Sequence, residues 1–215
     1  YIERFINICT TNKILIWNLK REKGVKLHLN IGIQDFYRAI EVAKKLKCKV
    51  KIEKKLATNT VLCVQPLHQT IVSCRDKDGK NNALVVGFVA NVSLDPVMVM
   101  VGITPARYSH HIVKESGCFV INFPKKSYKK EYGYLGSASG RDEDKFEKSD
   151  IKWENATYVD APILTDCPVS IECSVVDSTM PGTHELFIGK VEAIHVDEEY
   201  LDANGNILWN KIDLM

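Results

Sequence analysis

The chain has 215 residues, enough to bury a sizeable core in one or two domains. A composition of 45% hydrophobic and 26% charged residues excludes wholesale disorder, and a formal net charge of +2, from 29 basic and 27 acidic residues, gives no reason to expect nucleic acid as a partner. Seven cysteines, an odd number with no CxxC pair, argue against a disulfide framework or a zinc knuckle and for the reduced thiols of a cytoplasmic protein; no apolar stretch approaches the roughly 18–20 residues of a membrane helix, and the start Tyr1-Ile2-Glu3-Arg4 has no signal-peptide pattern.

The first 55 residues are rich in Lys and Arg. Residues 2–8 suit an opening helix, residues 14–19 (ILIWNL) a strand, Lys23-Gly24 a turn, and the alternating residues 25–31 (VKLHLNI) a half-buried second strand. Phe36, Ala39, Ile40, Ala43 and Leu46 recur at helical spacing and form one apolar stripe. Lys44, Lys45 and Lys47 gather at the C-terminal end of that helix, where its dipole favours cations. Val50-Lys51-Ile52 reads as a short strand. The order αββαβ describes a small α+β module over residues 1–55.

From about Thr60 the pattern changes to frequent short strands. Residues 70–74 (TIVSC) lead into a polar loop whose Asp78-Gly79 is a strong turn signal. Residues 83–92 and 97–103 are nearly continuous Val-rich runs, suited to strands buried on both sides, with Asp95-Pro96 breaking them apart. A short helix over 109–115 ends at Gly117, and residues 119–122 (FVIN) form a further strand. Residues 128–148 are polar and Gly-punctuated, a long loop with a helix at 141–147. Residues 169–176, 185–191 and 193–196 return to strands. The expected fold class is mainly β with a few helices, one domain over residues 60–215 behind the module at 1–55.

Three clusters carry candidate chemistry. Arg107 and Ser109 follow a buried strand and open a helix, where a cation, a hydroxyl and a helix N-terminus suit a phosphate, although Ser109 serves equally as a helix cap. Asn82 and Asn91 bracket an apolar strand and Ser93 follows, placed either to bond a ligand or to build turns. Ser139, Arg141 and Lys145 lie in a polar loop that either supplies positive charge or is merely solvated. The glycines nearby match neither the dinucleotide-binding nor the nucleotide-hydrolysing pattern. His110-His111 are adjacent and diverge on a helix, so no metal site is expected. Cys74 and Cys173 sit in apolar strand patterns and read as packing.

Residues 1–55, through RFINICTTNKILIWNLKREKG, LHLNIGIQDF and KLKCKVKIEKK, resemble the amino-terminal part of the stage IV sporulation membrane protein family; that family continues into a membrane-spanning stretch and this sequence does not. The remainder resembles the flavin reductase-like (flavoredoxin) family through TIVSCRDKDGKNNA, VSLDPVMVMVGITPARYSHHIVKESGCFVIN, SGRDEDKF, APILTDCPVSIEC and GTHELFIGKVEAIHVDEE, in the same order. That resemblance implies an FMN-binding split β-barrel, a homodimer, and electron transfer from NAD(P)H through FMN to an acceptor, while charge and hydropathy lead us to expect no membrane or nucleic-acid partner. It also implies FMN contacts at Asn82, Val85, Phe88, Asn91, Ser93, Arg107, Ser109, Ser139, Arg141 and Lys145, with His184 at the nicotinamide face. Val85 stands where the family often has Thr, and Phe88 where Trp is common. With that hydroxyl missing, a flavin-binding electron carrier or interaction protein without NAD(P)H turnover remains an alternative.

Overall fold

Two-residue alternation and helical spacing divide the chain into different architectures on either side of residue 61. The computed structural model describes residues 1–23, 25–51 and 64–215, and separates a unit ending at Val61 from one beginning at Leu62. In the first unit, α1 (Ile2–Thr11), β1 (Ile16–Arg21), β2 (Leu27–Ile31) and α2 (Ile33–Lys45) follow one another, and the two strands pair antiparallel. Cys9, Ile14 and Ala39 are buried, with Phe5, Ile16, Ile31 and Val42 packed on them. Asp35, in the first turn of α2, accepts the Leu15 N–H at 3.0 Å and the Arg38 guanidinium at 2.8 Å. Gly24, half of the expected turn, and Ile52, the end of the expected third strand, lie outside the described residues; Val50 and Lys51 are in no strand.

The second unit contains β3 (Thr70–Arg75), β4 (Asn81–Val86), β5 (Val89–Leu94), β6 (Val97–Ile103), α3 (Tyr108–Ser116), β7 (Cys118–Phe123), α4 (Lys129–Ser137), α5 (Lys145–Lys148), β8 (Trp153–Asn155), β9 (Pro162–Leu164), β10 (Val169–Thr179) and β11 (Glu185–Val196). Seven strands form one antiparallel sheet in the order β4-β3-β7-β10-β11-β6-β5, and β8 pairs with β9 apart from it. The strands at the two edges, β4 and β5, are consecutive in sequence and joined only by Gly87-Phe88. Two residues span at most about 7 Å, so the edges must meet there and the sheet must curl round. The Phe88 carbonyl accepts the Gly102 N–H at 2.8 Å and fixes this corner. No ladder joins β4 to β5 among the described residues, so the barrel is split along that seam.

This corner explains one difference from the sequence reading. The apolar run 83–92 is two strands, because the chain crosses the seam at Gly87-Phe88. Nor is its second half buried on both sides: Ala90, Asn91, Val92 and Leu94 are exposed on the edge strand. The loop expected over 128–148 contains α4, and the helix expected at 141–147 is the single turn α5, capped by Asp144, whose carboxylate accepts the Phe146 and Glu147 N–H groups. Gly133 and Gly136 lower the helix propensity of α4. Burial of Leu135 and the approach of Gly136 to Val85, where an added Cβ would lie 3.3 Å from Cγ2, override that preference. Residues 185–196 form one strand rather than two.

Alternation along the strands decides which side chains fill the barrel. Val72, Leu84, Val101, Phe119, Ile121 and Phe187 point inward and meet Ile112 and Val113 of α3. Ile71 and Ala83 point outward beneath Leu135, Ile151 and Leu164. Asn122, fully buried, braces the outer layer: its amide donates to the Ser73 hydroxyl at 2.9 Å and its carbonyl oxygen accepts from Ser170 Oγ at 2.9 Å and Leu164 N–H at 3.0 Å.

Candidate functional site

The strand β6 runs out of the barrel at Ile103, and a short turn carries the chain into α3. Arg107 takes extended backbone angles as the residue before the helix, with no side-chain cap, and leaves its guanidinium exposed. Ser109 is the second helical residue and does not cap. It is 1% exposed, and its hydroxyl accepts the Asn82 side-chain amide at 2.6 Å, tying β4 to α3. Residues 135–140, from the end of α4, close the third side. Here Gly140 is required by space: a Cβ would fall 2.6 Å from Asn82 Oδ1 and from Tyr108 Cδ1.

These elements enclose a cavity of about 240 Å³, lined by Asn82, Leu84, Val85, residues 106–109, residues 135–140 and Lys145. Lys145 is 4% exposed, and its ammonium donates to the carbonyls of Ala83 at 2.8 Å and Leu135 at 3.1 Å. Burial pushes its pKa down to about 8, and the neighbouring Arg107 adds to the fall. Among the described residues, no carboxylate lines the cavity. Two cations, four hydroxyl-bearing residues and the positive end of a nine-residue helix therefore line a space that nothing in its own lining neutralises. That donor set fits an anionic group. The volume lies below the roughly 300–1,000 Å³ of sites that take a whole drug-sized ligand, so it fits one end of a larger molecule.

Six of the residues expected from the sequence, Asn82, Val85, Arg107, Ser109, Ser139 and Lys145, line this cavity. Five do not. Phe88 stands at the barrel corner with its ring 4.7 Å from that of His184, and the two form a separate aromatic wall. Asn91 and Ser93 lie on the edge strand, where the register against β6 shifts between them. The Arg141 side chain is exposed, although its N–H reaches Ser139 Oγ at 3.3 Å. Tyr108 and Gly140 belong to the cavity and were not among the contacts implied by the resemblance. Tyr108 lies between two residues that were, and Gly140 sits in the serine-rich loop; neither spacing announces a close approach across the fold.

A larger cavity, of about 780 Å³, lies elsewhere, between the β9–β10 corner, the end of β11 and residues 197–207. It contains none of the expected residues. Its His195 bonds at 2.5 Å to the fully buried Glu172, whose carboxylate also accepts the N–H groups of Thr157, Tyr158 and Val159. Burial drives the Glu172 pKa up, but these donors outweigh it and hold it below the usual carboxylate range. Glu172 thus serves to pin residues 157–159, and the smaller cavity, with its converging cations, is the better candidate site. The described residues contain no group of three or more His, Cys, Asp or Glu able to hold a metal ion.

Both units of the chain resemble known proteins. Residues 1–63 match a family model for the stage IV sporulation protein YqfD, while no helix among the described residues is long and apolar enough to cross a membrane. The second unit resembles the flavoredoxin of Methanosarcina acetivorans, with TM-score 0.69 and 28% identity over 75% of this chain and 85% of that one. It also resembles the flavoredoxin of Desulfovibrio vulgaris, with TM-score 0.67 and 27% identity over 74% and 85%. A curated relative, the NADH:riboflavin 5'-phosphate oxidoreductase of Streptomyces pristinaespiralis, is 26% identical over 147 residues, 67% of this chain and 77% of its own length. Residues 66–211, more than half of the chain, match the family model described as flavin reductase like domain, and the chain belongs to that family.

Proposed function

We propose that the chain binds FMN and passes electrons from NAD(P)H through it to an acceptor. One observation carries the reading: a buried lysine and an arginine share a cavity at a helix N-terminus with no carboxylate in its lining, which suits a phosphate monoester. Lys145, Arg107 and Ser109 would hold the phosphate, with Asn82 and Ser139 available to the ribityl hydroxyls. The cavity takes that end of the molecule and leaves the isoalloxazine ring to extend beyond it, where Phe88 offers an aromatic face. When bound, the flavin supplies the hydride and electron chemistry. The protein's residues position it: Ser109 fixes Asn82, Gly140 lets the 137–140 loop close on it, and His184, braced on Phe88, is the candidate to orient the nicotinamide. Asn91, Ser93 and Arg141 stand outside the cavity as candidate contacts to the rest of the cofactor. The exposed edge strand, with Val92, Leu94 and Val97 at its hairpin, supports a homodimer.

Purified protein titrated with FMN should quench flavin fluorescence and gain thermal stability, and NADH or NADPH added without oxygen should bleach the bound flavin. Binding without bleaching supports the carrier reading, which Val85, an apolar cavity residue where a hydroxyl is common, keeps in play. Neither binding nor a gain in stability overturns both.

A further inference from the structure

We propose that Glu185 is a positioning residue whose carboxylate ties the helix lining the cavity to the strand whose entrance carries His184. The consequence for turnover rests on the flavin reading above; the tie itself rests on geometry. Glu185 is 4% exposed at the first position of β11, paired with Ile103 at the end of β6. Donors from two other elements converge on it. From α3, His110 Nε2 lies at 2.7 Å from Oε2, and Lys114 Nζ lies at 3.0 and 3.1 Å from the two oxygens. From β10, the Ser178 hydroxyl donates at 2.8 Å. A buried carboxylate this well supplied is anchored as a charge. The Lys114 and Ser178 bonds, against the opposing effect of burial and with further help from His110, hold its pKa down to about 2.

The placement of these partners gives the carboxylate more than a packing role. His110 immediately follows Ser109 and lies three residues after Arg107, while Glu185 immediately follows His184. On α3, His110 and Lys114 are one turn apart and face β11, and the His110 ring also packs edge-on against Phe187 of that strand, at 5.5 Å. The turn of α3 that offers Ser109 to Asn82 is therefore the turn held by Glu185. A slip of α3 along β11 would move the cavity's hydroxyl and cation away from the Phe88–His184 wall. One carboxylate thus sets the relation between the anion-binding cavity and the aromatic wall, two places the cavity itself does not join.

The test uses the full chain with E185Q, E185D and S178A. In the protein without added cofactor, E185Q should shift the backbone amide resonances of residues 107–109 and of His184 together, and S178A, which removes the bond from β10 but leaves those from α3 to Glu185, should leave 107–109 in place. With FMN bound, E185Q should raise the NADH KM and weaken FMN affinity, each about fivefold or more, with kcat changed far less. E185D, which keeps the charge, should recover most of both. A lower Tm in E185Q with KM, FMN affinity and the distant amides unchanged would overturn the proposal and leave Glu185 a purely stabilising residue. Wild-type protein that binds no FMN overturns the flavin reading instead; the amide shifts then decide the tie by themselves.

Discussion

Lys145 is the residue whose environment has the most direct chemical consequence. Its pKa of about 8 in the folded chain lies below the ordinary lysine value near 10.5, so between these two pH values the unfolded chain binds more protons. Stability of the cofactor-free protein should therefore rise, through this group, as pH climbs from about 8 toward 10.5. Phosphate binding needs the charged amine and runs the other way: FMN affinity should fall as pH rises through about 8, and riboflavin, which lacks the phosphate, should show no such fall. K145M should abolish the pH dependence and weaken FMN by at least tenfold, about 1.4 kcal/mol, as read by fluorescence titration. The sequence shows Lys145 as one lysine in a polar stretch. Nothing local reveals that its stem crosses to the carbonyls of β4 and α4, because burial there comes from residues 62 and 10 positions away.

At the scale of elements, the strands were readable because their alternation records two faces that meet different surroundings. Glycine marks where that record stops being local. Gly87 ends β4 at the seam, and Gly136 and Gly140 mark close approaches that no spacing rule predicts. G140A should push Asn82 away from Ser109 and weaken FMN binding more than it lowers stability, a contrast that a titration and a thermal melt on the same sample would show. Gly189 makes the opposite case. A Cβ there would lie 2.7 Å from Phe119 Cζ and 2.9 Å from Cys173 Cβ, inside the barrel core. G189A should therefore destabilise by about 1–3 kcal/mol in urea unfolding, with FMN affinity per folded molecule unchanged. The helix α4 was hidden because its glycines and polar residues favour a loop until β4 supplies a surface for Leu135.

Across the whole molecule, the order of motifs carried the barrel, while the approach of its two unpaired edges was legible only in three dimensions. The division near residue 61 predicts that a chain beginning at residue 64 folds alone and binds FMN as the full protein does; loss of binding in the shortened chain would show that the first unit supports the site. Two buried carboxylates set the acid limit. Glu172 and Glu185 are both held below their ordinary pKa, so their stabilisation is complete above about pH 5 and is lost on acidification, that of Glu185 as pH falls toward about 2. Thermal melts between pH 6 and 2.5 should show E185Q losing less on acidification than the wild type.

The corner at Gly87-Phe88 has a further consequence. Most connections between neighbouring strands accept added residues, since lengthening a surface loop costs little. This connection is also the clasp that keeps two otherwise unbonded rims together, and its tautness is what makes the wall round. A flexible insert of a few residues there should relax the curvature, widen the gap beside the Phe88–His184 pair and speed amide exchange at Gly102, while the same insert at the Asp78-Gly79 turn should pass almost unnoticed.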